Sequence, residues 1–257
     1  MKRLSAVVLG ILLAALVSGC ATETTRSDTD LHRASKLNAE LGLAYMSQGR
    51  DEWAMQKLQK ALEENPDNGE AHHYIAELYR RLGEMDKAEE HFEAALDRRP
   101  HDMSLLNNYG VFLCDEKRFD DAEEYFQKVL KDPLNDSRAN TYENLGLCAQ
   151  RAGRPDKAET YLRKALRMDK NRPKSLFSLA QIEYDKGHYQ AARGFFQRYL
   201  AIAKEQNPQS LLLGIQIENQ FGNQDAVASY KLLLKGKYGD SPEADRLRAM
   251  EAKGQLP

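Results

Sequence analysis

The sequence is poor in the residues that mark several classes of protein. Only 8 of its 257 residues are proline and 16 are glycine, which excludes collagen-like and low-complexity chains. The 37 Lys and Arg residues nearly balance 39 Asp and Glu residues, so the formal charge is −2 and no basic field is available for nucleic acid. With 42% hydrophobic and 30% charged residues, the composition is typical of a folded, charge-rich helical chain.

Motifs that carry catalysis are also missing. The sequence contains no HExxH, GxSxG or Walker-type phosphate-binding segment. His72 and His73 are adjacent, so on a helix they point about 100° apart and cannot share a metal ion. The acidic run at 120–124 suits the solvated start of a helix better than a catalytic carboxylate pair. We therefore expect no enzyme activity, no catalytic residue, no cofactor or metal, and no small-molecule substrate.

Long hydrophobic runs are absent too, and a short one lies near the N-terminus. Lys2 and Arg3 precede the apolar run Ala6–Val17, whereas a membrane-spanning helix needs about 20 apolar residues. A basic head, a short apolar core and small residues after it are typical of a signal peptide, which we assign to residues 1–19.

The end of this segment resembles a bacterial lipobox. It reads Leu-Val-Ser-Gly before Cys20, and the resemblance implies that Cys20 is acylated and becomes the first mature residue. An ordinary secretory signal with an accidental cysteine is the alternative. Residues 20–34 are then expected to be the lipidated cysteine and a flexible tether, whose part 21–30 is polar and has no helical period of apolar residues. The alternative for residues 30–34 is that they extend the first repeat helix. Ala21, the residue after the cysteine, implies export to the outer membrane by the same resemblance to lipoproteins.

The rest of the chain repeats with one period. Three series of side chains share the steps 34, 34, 36, 34 and 34. The first series consists of Gly42, Ala76, Gly110, Gly146, Ala180 and Gly214. The second consists of Ala54, Ala88, Ala122, Ala158, Ala192 and Ala226, and the third of Leu58, Phe92, Phe126, Leu162, Phe196 and Tyr230. The single two-residue insertion lies near Pro133–Ser137 and predicts a longer loop or a small kink there.

This pattern resembles the tetratricopeptide repeat (TPR), whose period is 34 residues. The resemblance implies an all-α, right-handed α-solenoid of six helix pairs. We place the repeats at 35–68, 69–102, 103–138, 139–172, 173–206 and 207–240. Ser241 and Pro242 suit the N-cap and first residue of a further helix, so residues 241–257 are predicted to form a C-terminal capping helix and tail.

A solenoid of this kind has a concave groove lined by the first helix of each pair. We expect apolar side chains at the two ends of the groove and polar ones in the middle. Leu43 and Met46 are expected to contact a partner, whereas Leu211 and Ile215 are expected to pack on the capping helix.

Two cysteines remain besides Cys20, and no CxxC pair exists. Cys114 and Cys148 are either independent core residues or a disulfide between neighbouring repeats, which requires Cα atoms about 4.4–6.8 Å apart. Their spacing leaves both possibilities open.

The lipobox, tether, repeats and final helix together resemble the TPR lipoproteins of type IV pilus biogenesis, the PilF/PilW pilotin group. Segments that carry the resemblance include Asn107–Gly110, Glu143–Gly146 and Phe195–Phe196. The resemblance implies a lipoprotein on the periplasmic face of the outer membrane that binds secretin subunits and promotes their multimerisation. A general periplasmic TPR adaptor for envelope or cell-wall enzymes is the alternative. The predicted partner-binding residues are Ala39, Leu43, Met46, His73 and Val111.

Overall fold

The computed structural model describes residues 27–256, and every regular element within them is an α-helix. The predicted all-α fold is therefore confirmed. The helices are α1 Asp28–Ser47, α2 Asp51–Glu64, α3 Gly69–Leu82, α4 Met85–Arg98, α5 Met103–Asp115, α6 Phe119–Leu130, α7 Arg138–Arg151, α8 Pro155–Met168, α9 Pro173–Asp185, α10 Tyr189–Ile202, α11 Pro208–Gln220, α12 Gln224–Lys237 and α13 Pro242–Ala252.

The helices form six antiparallel pairs stacked in chain order. Each odd-numbered helix from α1 to α11 packs closely on the helix that follows it. Odd-numbered helices also contact one another from pair to pair, whereas the even-numbered helices of the described residues do not. The odd-numbered helices therefore form the inner layer of the stack and the even-numbered helices the outer layer.

Small residues let the two helices of a pair approach closely. A Cβ atom on Gly42 would lie 2.5 Å from Leu58 Cγ, and one on Gly146 would lie 2.7 Å from Leu162 Cγ. Both leucines are fully buried. The first and third repeating series are thus in direct contact, which is the physical reason why they share one period.

The turns inside the pairs need a residue with positive φ. Gly49, Gly83, Gly153 and Gly187 all occupy this left-handed conformation, with φ between 69° and 79°, as expected for a residue that ends a helix. The third pair departs from the pattern, because Lys117 takes the same conformation with φ 63°.

The N-terminal boundary differs from the sequence expectation. Helix α1 begins at Asp28, so residues 28–34 are helical and do not belong to a flexible tether. The Ser27 side chain caps the helix by accepting from the Asp30 backbone N–H at 3.2 Å. Asp28 and Asp30 add favourable charge to the first turn. The predicted signal peptide, Cys20 and the remaining tether residues lie outside the described residues.

The two-residue insertion forms a longer loop. Residues 131–137 connect α6 to α7. The segments 65–68 and 169–172, which connect other neighbouring pairs, are shorter. Side chains hold the loop locally, because Asp132 Oδ1 accepts from the Leu134 N–H and Asn135 Oδ1 accepts from the Ser137 N–H. The Leu134 side chain is 87% exposed.

A disulfide joins two neighbouring inner helices of the stack. Cys114 near the end of α5 and Cys148 in α7 are joined, with their Cα atoms 5.8 Å apart. Both cysteines are buried. The disulfide ties the inner helices of the third and fourth pairs together near their C-terminal ends, at the opposite end of α7 from the loop 131–137.

Helix α13 covers the C-terminal end of the stack. Ser241 caps it by accepting from the Ala244 N–H at 3.2 Å, and Pro242 is its first residue. Ala244 and Leu247 are buried in one cluster with Leu211 and Ile215.

Candidate peptide-binding groove

The groove lies along the odd-numbered helices. Three positions of each inner helix define its surface: three residues before, one after and four after the small residue of the first series. On a helix these offsets fall on one side, next to the face that packs in the core. We call this surface the inner groove.

Three of the five predicted partner-binding residues are buried. Ala39 and Met46 pack in the first hydrophobic cluster with Ala54 and Leu58, and His73 is also buried. The expectation that these three side chains face a partner is wrong. Helix α3 packs directly on α1, so the adjacent repeat covers that edge of the groove.

Leu43 and Val111 are the two predicted residues that remain accessible. The Leu43 side chain is 43% exposed at the N-terminal end of the inner groove. Val111 is partly exposed near the middle and packs at the edge of the cluster formed by the second and third pairs. The two occupy equivalent positions, one residue after Gly42 and Gly110.

The sequence reasoning missed Leu37 and Leu41, which are 52% and 46% exposed on α1. One repeat later the same positions hold Ala71 and Ile75, which are buried against the first pair. The 34-residue register contains this signal, because α1 belongs to the first helix pair of residues 27–256 and no earlier pair in that range covers the equivalent face. Leu37 and Leu41 point about 120° or more away from Leu43, since successive residues turn by about 100°, so they form a separate end face.

Charged side chains occupy the middle of the inner groove. Asp115 Oδ2 accepts from Arg80 Nη1 at 2.7 Å, and Asp115 Oδ1 accepts from Arg151 Nη1 at 2.6 Å. Arg80 also contacts Glu77 at 3.2 Å. Burial disfavours the charge on Arg80, but Glu77 and Asp115 outweigh it and raise the pKa of the guanidinium. The inner helices of three pairs are thereby connected.

Burial keeps His73 neutral. Desolvation lowers the pKa of its imidazole to about 4, while Asp102 and Arg99 act in opposite directions with smaller effects. His73 Nε2 lies 3.0 Å from Asn108 Nδ2, which fits a ring nitrogen accepting from the amide. His73 is therefore a structural residue between the second and third pairs.

The C-terminal end of the groove is closed by α13. Leu211 and Ile215 are buried against this helix, so the expectation that they pack on it is met. A cavity of about 500 Å³ remains beside α13, with Phe177, Leu212 and Met250 among its lining residues. Accessible apolar side chains of the groove thus include Leu43 at its N-terminal end, Val111 near its middle and those that line this pocket.

Neither a metal site nor a membrane-spanning helix is found in residues 27–256. Within residues 27–256, no three His, Cys, Asp or Glu side chains are grouped as a metal site would require. None of the helices in that range combines the length and the apolar character needed to cross a bilayer.

The repeat class is shown by comparison with protein families. Models described as tetratricopeptide repeat match residues 45–100, 102–171 and 137–205. The chain is therefore a tetratricopeptide-repeat protein.

Comparison with individual relatives identifies the family of this chain among tetratricopeptide-repeat proteins. The type IV pilus assembly protein PilF of Pseudomonas aeruginosa is 34% identical over 245 residues, which cover 94% of this chain and 97% of that protein. A solved structure of P. aeruginosa PilF covers 85% of this chain and 98% of its own, with TM-score 0.78 and 33% identity. A crystal structure of PilW, described as a widely conserved type IV pilus biogenesis factor, has TM-score 0.75 and 30% identity, over 83% of this chain and 97% of its own. The chain belongs to the PilF/PilW family.

Proposed function

We propose that this protein is a lipid-anchored factor of type IV pilus biogenesis that binds secretin subunits and promotes their multimerisation in the outer membrane. Its role is to hold another polypeptide, without catalysis. Similarity to PilF over 94% of the chain supports the pilus role. The secretin partner comes from the family resemblance.

The observation that carries the binding step is the exposure of Leu43. An accessible leucine at the open end of a groove gives an apolar segment of a partner something to bury. Charged side chains follow directly along the groove, beginning with Glu77 and Arg80. A secretin segment with an apolar residue followed by polar ones would match this order.

Substitution of Leu43 tests this step. Leu43→Glu is expected to reduce secretin co-purification and the amount of outer-membrane secretin multimer at least about fivefold, because burying an unpaired carboxylate is unfavourable. Leu134→Glu is the matched control, since it makes the same change at a leucine exposed in the loop 131–137. Equal secretin assembly with both variants would contradict the groove assignment. Met46→Glu is unsuitable, because Met46 is buried and its loss would disturb folding.

The lipid anchor is tested separately at Cys20. Acyl chains each contribute about 0.8 kcal/mol per buried CH2, so two or three of them hold a protein stably on a membrane. In our proposal they keep the solenoid where secretin subunits assemble and raise the effective concentration of both partners. Cys20→Ala is expected to remove the acyl mass and release the protein from the outer-membrane fraction. Acylation that persists in this variant would contradict the lipobox interpretation.

A further inference from the structure

A second groove lies outside the inner groove. It has a volume of about 750 Å³ and is formed by α8, α10 and the start of α9. Two of these helices are even-numbered, so the groove opens on the outer layer of the stack, between the fourth and fifth pairs. We call it the outer groove. Its lining residues are Arg163, Leu166, Arg167, Lys170, Asn171, Leu176, Phe195, Arg198, Ala201 and Ile202.

The floor of the outer groove is apolar and recessed. Leu166 and Leu176 are buried, and Phe195 and Ile202 are partly buried. Two guanidinium groups lie close to the Phe195 ring, with the Cζ atoms of Arg163 and Arg198 at 5.1 and 5.8 Å from its centroid. A bound apolar side chain would therefore meet a floor surrounded by cations.

The rim carries four cations and no acidic residue among the lining. Arg163 is balanced, because Glu159 accepts from its Nε at 2.9 Å and Glu183 accepts from its Nη2. Arg198 donates to the Lys170 carbonyl at 3.4 Å, which leaves its charge uncompensated. Arg167 and Lys170 have exposed side chains without a carboxylate partner in the described residues. Three positive charges thus remain available to a ligand.

The other repeats show that this charge is not required by packing. The positions of Arg163 and Arg167 hold Glu93 and Asp97 two repeats earlier, and Gln59 and Glu63 in the first repeat. The corresponding groove between the second and third pairs has a similar floor, including Leu96, Leu106 and Tyr125. That groove also carries cations, since Lys128 stands at the position of Arg198 and Lys131 lies beside it. The outer groove differs in its α8 wall, where Arg163 and Arg167 replace the acidic residues of the second repeat.

The distribution of charge along residues 28–256 also favours an anionic ligand at the outer groove. Residues 28–138 contain 15 Lys and Arg against 25 Asp and Glu, which leaves −10. Residues 139–256 contain 19 Lys and Arg against 13 Asp and Glu, which leaves +6. The half that contains the outer groove attracts anions, and such a field accelerates their association.

We propose that the outer groove binds an acidic polypeptide segment of a partner, in which an aliphatic or aromatic side chain is flanked by Asp or Glu. The apolar side chain would occupy the floor, and the carboxylates would pair with Arg167, Lys170 and Arg198. A segment of chain fits better than a bilayer, because the apolar floor is recessed below the cations and a flat lipid surface would not reach it.

The test is fluorescence anisotropy with a labelled short peptide in which Leu and Phe are flanked by Asp and Glu. Arg167→Glu combined with Arg198→Glu is expected to weaken binding about tenfold or more, because each substitution replaces a charge-assisted hydrogen bond with the repulsion of two carboxylates. Ala201→Trp, which fills the groove without changing its charge, is expected to weaken binding as well. Peptides with Asn and Gln for the acids, or with Ser for Leu and Phe, should bind poorly.

The matched control is Arg246→Glu combined with Lys253→Glu. Both side chains are exposed on or just after α13, which packs on α11 and α12 and contributes no residue to the outer groove, and the change in net charge is identical. This variant is expected to stay within about twofold of the wild-type affinity, because a distant exposed charge is screened by salt. Circular dichroism on each variant verifies that the helices are retained.

Several results would overturn the proposal. Equal loss of affinity in both double variants would show that binding depends on the net positive charge of this half of the chain and not on a site in the outer groove. Undiminished binding by the Ala201→Trp variant would place the peptide elsewhere. Binding to vesicles of phosphatidylcholine and phosphatidylglycerol, without binding to the acidic peptide, would identify a lipid surface. Sedimentation showing that Arg167→Glu with Arg198→Glu only dissociates a dimer would identify a second copy of the chain as the occupant. The secretin assays do not enter this test, so its failure is distinct from failure of the proposed function.

Discussion

At the residue scale, the repeating series predicted which side chains pack but not which groove residues stay accessible. Gly42 and Leu58 were recognisable because their contact recurs in every pair. His73 was not, because its burial depends on Asn108 in the next repeat, 35 positions away. A single sequence assigns His73 and Leu43 to the same side of their helices, and only the stacked neighbours separate them.

Lys117 gives a prediction at this scale. We expect Lys117→Gly to raise the free energy of unfolding by about 0.5–1 kcal/mol, because the left-handed conformation costs a non-glycine residue roughly 1–2 kcal/mol and glycine's entropic cost is smaller. Urea denaturation followed by circular dichroism measures the change. Glu116→Gly is the control, since Glu116 has φ −76° and gains nothing from glycine. An equal effect of both substitutions would refute the explanation.

His73 gives a second residue-scale prediction. Its folded pKa of about 4 lies below the ordinary 6.5, so the unfolded chain binds the proton more readily. Stability is therefore complete above pH 6.5 and falls as the pH drops toward 4. Between pH 7.5 and pH 5 the loss from this group is about 2 kcal/mol.

The measurement is urea denaturation at both pH values for wild type and His73→Gln. Glutamine keeps an acceptor for Asn108 but does not titrate, so the variant is expected to lose less stability at pH 5. His101→Gln, at an exposed histidine, should behave like wild type. A pH dependence that is the same in His73→Gln and wild type would contradict the assignment.

At the scale of helices and loops, the period predicted most of the architecture. The 34-residue steps located the pairs, and the 36-residue step located the longer loop 131–137. A helical extension over residues 30–34 was one of two alternatives, but a helix starting at Asp28 was not predicted, because the segment 21–30 is polar and shows no helical period of apolar residues. Residues 28–34 are helical through the Ser27 cap and because α1 continues into a packed segment. The Cys114–Cys148 disulfide could not be predicted either, because the number of residues between two cysteines does not give the distance between their Cα atoms.

The disulfide carries the prediction at this scale. Reduction, or Cys114→Ala with Cys148→Ala, is expected to lower the free energy of unfolding by about 2–4 kcal/mol, because the bond closes a loop of 34 residues in the unfolded chain. Urea denaturation with and without reductant tests this, and the double variant, which cannot respond to reductant, is the control. Two free thiols at these positions in the native, unreduced protein would contradict the bond.

At the scale of the whole molecule, the solenoid divides into surfaces with different chemistry. The N-terminal half is acidic and exposes Leu43 at the end of the inner groove, whereas the C-terminal half is basic and contains the outer groove. The all-α stack and family membership were predictable from the sequence, because both depend on local pattern. The outer groove was not, since its cations come from two helices and a loop that only stacking brings together.

The most direct test of the account is the state of the secretin in cells that lack this protein. Membrane fractionation with detection of heat-resistant multimers measures how much secretin is assembled in the outer membrane. We expect deletion to leave the secretin largely monomeric and the full chain, supplied again, to restore the multimer. Unchanged outer-membrane multimer in the deletion strain would contradict the proposed function.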